Sequence, residues 1–206
     1  MARKHAPDPT ADNSTRSRIA AAALEILESE GAAAVSMRRV AEAAAITPMA
    51  IYYHFESREN LLDTITTQEF AKLLGYIEQR TPQRKLPGTP EARLISAMEA
   101  YVDYAFARPR VFDYVFAETR PGARRYPEDF RARRSPTLNP IADLVASLMT
   151  SGVLKKDDVW EVALELWAHA HGYVALYRAG RFNLSEDQFR TLVRRSIRRL
   201  IHGLKA

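Results

Sequence analysis

Apolar residues recur at three- and four-residue spacing along nearly the whole chain, while the strict alternation that marks strands is scarce. The pattern predicts an all-α fold. A first helix is expected from about Thr15 to Gly31, with Ile19, Ala23, Ile26 and Leu27 on one face. A second, short pattern follows Ser36, where Met37, Val40, Ala41 and Ala44 share a face and Ser36 is placed as N-cap. Thr47 is expected to cap a third short helix with Pro48 in its first turn, where a missing N–H costs nothing. Ser57 is the next cap. The fourth pattern runs from it through Leu62, Ile65, Leu73 and Ile77 to about Arg80, a rod on the order of 30 Å long.

Three prolines, a glycine and few apolar residues between 81 and 90 stop that helix and mark the clearest linker. Beyond it the pattern predicts a helix over about 90–107 and a break at Arg108-Pro109. A short aromatic helix over 111–117 and an irregular basic stretch over 119–136 follow, then a helix opened by Pro140 and ended by Gly152. Two long helices close the chain. Asp157 or Asp158 caps one that runs to about Arg178. Ser185 starts the other, where Ser185-Glu186-Asp187-Gln188 fits a capping box with Leu184 and Phe189 as its hydrophobic staple. Residues 1–12 hold Pro7 and Pro9 and few apolar groups, and read as a flexible arm.

The last two helices are wider in apolar surface than one core requires. Trp160, Ala163, Trp167, Ala170 and Val174 form one stripe of the first and Val162, Leu166, Tyr173 and Leu176 another. The final helix carries Phe189, Leu192, Val193, Ile197, Leu200, Ile201 and Leu204. One side can cover the chain's own core, and the remainder predicts a homodimer joined through these helices.

Composition removes several classes. The 206 residues include no cysteine, so disulfide scaffolds, thiolate metal sites and cysteine nucleophiles are excluded. No uncharged apolar run approaches the ~18 residues of a membrane span, and the start lacks the apolar core of a signal peptide, so a cytoplasmic protein without a membrane partner is expected. No motif for nucleophilic, phosphate-binding or zinc chemistry occurs, so neither an enzyme nor a cofactor is expected. His169 and His171 diverge by ~200° on a helix and cannot grip one ion, so no metal site is expected either; Glu165, four residues before His169, fits a structural hydrogen bond to it. The net charge of +5 hints at a polyanionic partner, yet residues 1–55 carry six basic and six acidic groups. The densest basic patch, Arg120, Arg124, Arg125, Arg131, Arg133 and Arg134, reads as a solvated loop or a second anion site.

Position, not total charge, carries the nucleic-acid signal. Residues 36–55 have the spacing of a helix-turn-helix: a helix of about eight residues, the turn Ala45-Ile46, and a helix of about seven. Ile46, Ala50, Ile51 and Phe55 form the inward set, which leaves Thr47, Pro48, Met49, Tyr52, Tyr53 and His54 outside. Tyr52, Tyr53 and His54 can donate to phosphate oxygens, while Thr47, Met49 and Ala50 are small or flexible enough to reach base edges and thymine methyls. Ser36 and Arg38 lie at the start of the second helix. The helix starts at Ser36, Thr47 and Ser57 aim backbone N–H groups at phosphates, and Arg58 is placed as a phosphate clamp.

The run Val40-Ala41-Glu42-Ala43-Ala44-Ala45-Ile46-Thr47-Pro48-Met49-Ala50-Ile51-Tyr52-Tyr53-His54-Phe55, followed by Glu56-Ser57-Arg58-Glu59-Asn60-Leu61-Leu62, resembles the N-terminal signature of the TetR family of transcriptional regulators. The resemblance covers about residues 13–73 and implies a DNA-binding domain there, followed by an effector-binding and dimerisation domain over 74–206. It matches Tyr52 and His54 to the family's phosphate-contacting pair, Thr47 through Ala50 and Tyr53 to groove-facing positions, and Arg58 to a lysine of the clamp. One departure is Ala45, where the family usually has glycine; at positive φ it would cost on the order of 1 kcal/mol. Trp167-Ala168-His169-Ala170-His171-Gly172 resembles the Trp…His-Gly signature of one TetR C-terminal class, and 101–109 resembles the segment that precedes it. By that resemblance Tyr104, Phe112, Phe116, Trp167 and His171 are the candidates for a small-molecule effector pocket. The implied function is a ligand-responsive dimeric repressor on a near-palindromic DNA operator. The alternative is a small-molecule-binding or interaction protein on the same fold that has lost DNA recognition, with Ala45 as its motive.

Overall fold

A computed structural model describes residues 9–80, 89–120 and 122–206, and within them every regular element is helical. The all-α expectation holds. The order is α1 (Pro9–Glu30), a 3-10 turn (Ala32–Ala34), α2 (Met37–Ala43), α3 (Pro48–His54), α4 (Arg58–Arg80), α5 (Pro90–Ala107) and α6 (Pro109–Phe112). A π-helical turn (Asp113–Ala117) follows, then α7 (Glu128–Arg131), α8 (Asn139–Thr150), α9 (Val159–Arg178) and α10 (Glu186–Gly203).

Local signals placed most boundaries. Ser36 accepts from Arg39 N, Thr47 from Ala50 N, and Asp158 from Trp160 N and Glu161 N. Ser185 and Gln188 complete the reciprocal capping box that starts α10. Three boundaries differ. Helix α1 begins at Pro9, six residues before Thr15, because proline suits the first turn of a helix. The stretch 119–136 contains the single turn α7. The aromatic segment after Pro109 opens as one α-turn and widens, with Glu118 N donating to Asp113 O at 2.9 Å. Residues 1–8 of the expected arm, and the linker from 81 to 88, lie outside the described residues.

The chain forms two compact units. The first joins the described residues up to Glu69 with Arg108–Gly122. Its core is Ile19, Ala23, Leu27, Val40, Ile51, Phe55, Leu61 and Ile65, all completely buried. Ala20, Ala22 and Ala23 are buried on α1, where their short side chains let the short helices α2 and α3 approach closely. The second unit comprises Phe70–Ala107 and Ala123–Ala206. There α5 lies central, with Leu94, Ala97, Met98, Tyr101, Val102 and Tyr104 buried against α8, α9 and α10.

The two apolar stripes expected on α9 become one. Val162, Ala163, Leu166, Ala170 and Val174 are buried, while Trp160, Trp167 and Tyr173 are half-exposed and Leu176 is exposed. On α10, Phe189, Val193, Ile197 and Ile201 are buried, and Leu192, Leu200 and Leu204 stay half-exposed. The basic stretch is exposed at Arg124, Arg125, Arg131, Arg133 and Arg134, with Arg120 buried, and it carries surface ion pairs: Arg131 with Asp158 at 2.8 Å, Arg133 with Asp143 at 2.9 Å, and Arg134 with Asp129 at 3.0 Å. No helix among the described residues is long and apolar enough to cross a membrane.

Candidate nucleic-acid interface and ligand cluster

The helix-turn-helix is built from backbone hydrogen bonds and hydroxyl caps. After α2 the chain turns through Ala45 at φ 53, and the turn closes as Ala45 N donates to Glu42 O at 3.1 Å and Ile46 N to Ala41 O at 2.9 Å. Thr47 is extended and its Oγ1 accepts from Ala50 N at 3.1 Å, with Pro48 in the first turn of α3. Ile51 and Phe55 are then fully buried, whereas Met49 is 81% exposed, Tyr53 72% and Tyr52 53%. Thr47 and Pro48 are exposed as well. Ala50, Ile46 and His54 are half-buried, so Ala50 and Ile46 belong to the margin of the inward face rather than to its centre.

Arg16 of α1, which no local motif marks, secures the far end of α3. Its guanidinium lies 4.2 Å from the Phe55 ring centroid, bonds to the His54 carbonyl, and reaches Thr64 Oγ1 at 3.5 Å. A cation there complements the negative end of the helix. Arg58 sits otherwise than expected. Its Nε donates to Val35 O at 2.7 Å and Nη2 to Ala32 O at 2.6 Å, because the carbonyls of the 3-10 turn lie within reach of its fork. Arg39 is paired with Glu30, and the shared hydrogen bond holds the Glu30 carboxyl below its usual range. Arg38 is exposed and makes no ion pair among the described residues. It stands out toward solvent next to the Ser36 cap.

In the second unit Trp167, His171, Tyr101 and Phe130 come together. The Tyr101 hydroxyl meets His171 Nδ1 at 2.9 Å, the Trp167 and His171 ring centroids are 5.9 Å apart, and Phe130 lies 6.3 Å from Trp167. Burial pushes the Tyr101 phenol well above its ordinary range, so it stays neutral and can donate to an unprotonated Nδ1. Tyr104 is fully buried and meets Tyr76 edge-on at 6.1 Å. Phe112 and Phe116, 5.2 Å apart, belong to the first unit. The five pocket candidates are thus divided between the two units. His169 does not turn to Glu165: its Nε2 meets Ser196 Oγ at 2.9 Å, and the Tyr173 hydroxyl meets the same oxygen at 3.0 Å. Among the described residues no group of three or more His, Asp or Glu gathers to hold a metal ion.

A concavity of about 600 Å³ in the second unit has Tyr76, Val102, Phe106 and Val193 in its lining and none of the five candidates. Arg190 spans it, 2.8 Å from Asp103 and 4.7 Å from the Phe106 ring centroid, and Arg194 pairs with Glu99. A signal for this was present: Arg190 and Arg194 repeat at four residues on one helix, and so do Glu99 and Asp103 on another.

Residues 19–65 match the family described as "Bacterial regulatory proteins, tetR family", and residues 94–200 match "Tetracyclin repressor-like, C-terminal domain". The HTH-type transcriptional regulator UidR of Escherichia coli K12 is 37% identical over 65 residues, 32% of this chain and 33% of that protein. The chain therefore aligns with about a third of the length of the curated relatives it matches. A protein of unknown function from Rhodococcus sp. RHA1 superposes with a TM-score of 0.77 at 21% identity, over 99% of this chain and 98% of that one. A TetR family transcription regulator from Marinobacter aquaeolei VT8 gives 0.69 at 17% identity, over 94% and 98%. At such identities the solved structures speak for the fold alone. The C-terminal family match by itself spans just over half of the chain, and with the N-terminal match over the helix-turn-helix it makes this protein a member of the TetR family of transcriptional regulators.

Proposed function

We propose that the protein is a repressor that binds a near-palindromic operator as a homodimer and is released by a small-molecule effector. The observation that carries this reading is the outer face of α3, where Met49, Tyr52 and Tyr53 project from a helix whose opposite face, Ile51 and Phe55, is fully buried. Side chains of that size are not left in water on a packing surface. Tyr52 and His54 contact phosphates, and Thr47, Pro48, Met49, Ala50 and Tyr53 face the major groove. Ser36 and Arg38 add contacts at the start of α2. Arg58 serves by bracing the carbonyls of Ala32 and Val35, which sets the entry of α2.

The functional division is a DNA-binding domain over 13–73, preceded by the arm, and an effector and dimer domain over 74–206. Of the residues that the resemblance names for the effector, Trp167 and His171 lie together in the second unit and carry the effector-binding reading. Dimerisation runs through α9 and α10, supported by Leu176 of α9, which is 51% exposed, and by the half-exposed Leu192 and Leu200 of α10. The protein acts in the cytoplasm, where its operator is.

A head that no longer reads DNA was the competing reading, motivated by Ala45. The closed hydrogen bonds around that residue favour a working turn. Changing Tyr52 and His54 together to alanine is expected to abolish the gel shift of an operator recovered from genomic fragments, while light scattering still reports a dimer. Unchanged binding by the double variant would overturn the assignment, and failure of the native protein to enrich any inverted repeat would favour the competitor.

A further inference from the structure

The concavity that α5 and α10 line in the second unit, at about 600 Å³, falls inside the roughly 300–1,000 Å³ of small-molecule clefts. Trp167 and His171 have no part in its lining. Its charged lining is uneven. Glu99 and Asp103 of α5 and Glu186 and Asp187 of α10 accompany Arg190 and Arg194, four carboxylates against two guanidinium groups. Both arginines are already answered, Arg194 by Glu99 and Arg190 by Asp103 at 2.8 Å. An anion entering here would have to break an ion pair and then meet the carboxylates that remain. The charge balance therefore favours a cation.

One cation is seated there already, and it belongs to the chain itself. The Arg190 guanidinium lies 4.7 Å from the Phe106 ring centroid while its Nε donates to Asp103 Oδ1. The Asp103 side chain is only 16% exposed, and a carboxylate so covered attracts a cation more strongly than one in open water. Arg190 has a second set of partners on its own helix. Glu186, four residues earlier, lies 3.1 Å from Nη1, and Asp187, three residues earlier, lies 3.7 Å from it. An Arg190 that gave up Asp103 and Phe106 would keep both of these carboxylates beside it. The seat is thus held by a group that can leave without being stripped of its counter-charge.

We propose that Asp103 and the face of Phe106 form a binding site for a small organic cation, an ammonium or amidinium carried on an apolar body, and that Arg190 fills the site until such a ligand displaces it. The ligand's cation takes the place of the guanidinium over the ring, its apolar body lies against Tyr76, Val102 and Val193, and Arg190 turns to Glu186 and Asp187. Three cations then meet four carboxylates, a closer balance than two against four. The site is separate from the Trp167 and His171 cluster, and it stands whether or not that cluster binds an effector.

The test is an NMR titration of the full-length protein with phenethylamine, phenethyl alcohol and hydrocinnamate, which share an apolar body and differ in the charge of the head group. The amine is expected to bind about 10-fold or more tighter than the alcohol, and the acid more weakly than either. Asp103→Asn should weaken the amine about 10-fold while the alcohol stays within about 2-fold; its fold is kept because Arg190 retains Glu186 and Asp187. Arg190→Met should tighten the amine about 5-fold, since no guanidinium has to be displaced from the ring. An ion pair that serves only to hold α5 to α10 predicts otherwise: both variants would lose stability, and neither would move the amine apart from the alcohol. Equal affinity for amine and alcohol, absence of amine binding to both the native protein and Arg190→Met, or an Arg190→Met variant that binds the amine no better than the native protein overturns the proposal.

Discussion

Replacing Ala45 with glycine isolates the one backbone feature in which the helix-turn-helix departs from its family. Ala45 holds φ 53 in the turn between α2 and α3, whereas the left-handed residues just after α8 and α9 are Gly152 and Gly180. For an L-residue with a Cβ this conformation costs roughly 1–2 kcal/mol. Glycine returns part of that gain, about 0.5–1 kcal/mol, because its unfolded chain has more freedom to lose. Ala45 is exposed, so no packing is forfeited with its methyl group. The net expectation is a stabilisation of about 0.5–1 kcal/mol. If the whole chain melts together, the midpoint rises by roughly 1–4 °C, and if the first unit melts alone, by up to ~8 °C. Urea titration followed by far-UV circular dichroism should show a higher midpoint with an unchanged slope. Ala45→Val, a β-branched residue in the same conformation, should shift the midpoint down by more than glycine raises it. Operator affinity should be unchanged in the glycine variant, since the hydrogen bonds from Ala45 N and Ile46 N already close the turn. A glycine variant less stable than the native protein, together with a harmless valine, would refute a left-handed Ala45.

Burial holds the His169 imidazole below its ordinary value of 6.5, so on acidification the unfolded chain takes up the proton first. The stability it contributes is complete above that ordinary value and is lost as the pH falls through it. The melting temperature should therefore drop between about pH 7.5 and 5.5, and the drop should be smaller in His169→Gln. Identical pH profiles in the two proteins would remove His169 from the cause. Phe189 is fully buried, with its ring centroid 4.4 Å from that of Tyr177 and 5.6 Å from that of Phe106. Phe189→Ala should cost about 3–5 kcal/mol in urea unfolding, and a loss below about 1 kcal/mol would contradict its place in the core.

What could be read along the chain was whatever is decided within one or two turns. Ser36, Thr47, Asp158 and Ser185 start helices where the sequence has a hydroxyl or carboxylate before an apolar face, and the structure shows each side chain accepting the expected amide. The outer face of α3 followed from the same periodicity. Long-range charge pairing left no local trace. Arg108 lies 80 residues from Glu28, and Arg16 lies 38 from His54, so neither pair leaves a spacing to read. Arg58 illustrates the gap between position and direction. Its place at the start of α4 was legible, yet the carbonyls it turns to belong to a segment more than twenty residues earlier. The basic loop is exposed as its composition implied, but its partners were not legible: Arg131 finds its carboxylate at the start of α9 and Arg133 on α8.

The capping hydroxyls of Ser36 and Thr47 are engaged only as acceptors, through Arg39 N and Ala50 N. A hydroxyl has one proton of its own, and that proton cannot point at an amide hydrogen already bound to the oxygen. It is left facing away from the helix. One oxygen thus starts the helix and keeps a donor turned outward, two roles that an aspartate at position 47 would separate: it would begin α3 equally well while carrying no proton.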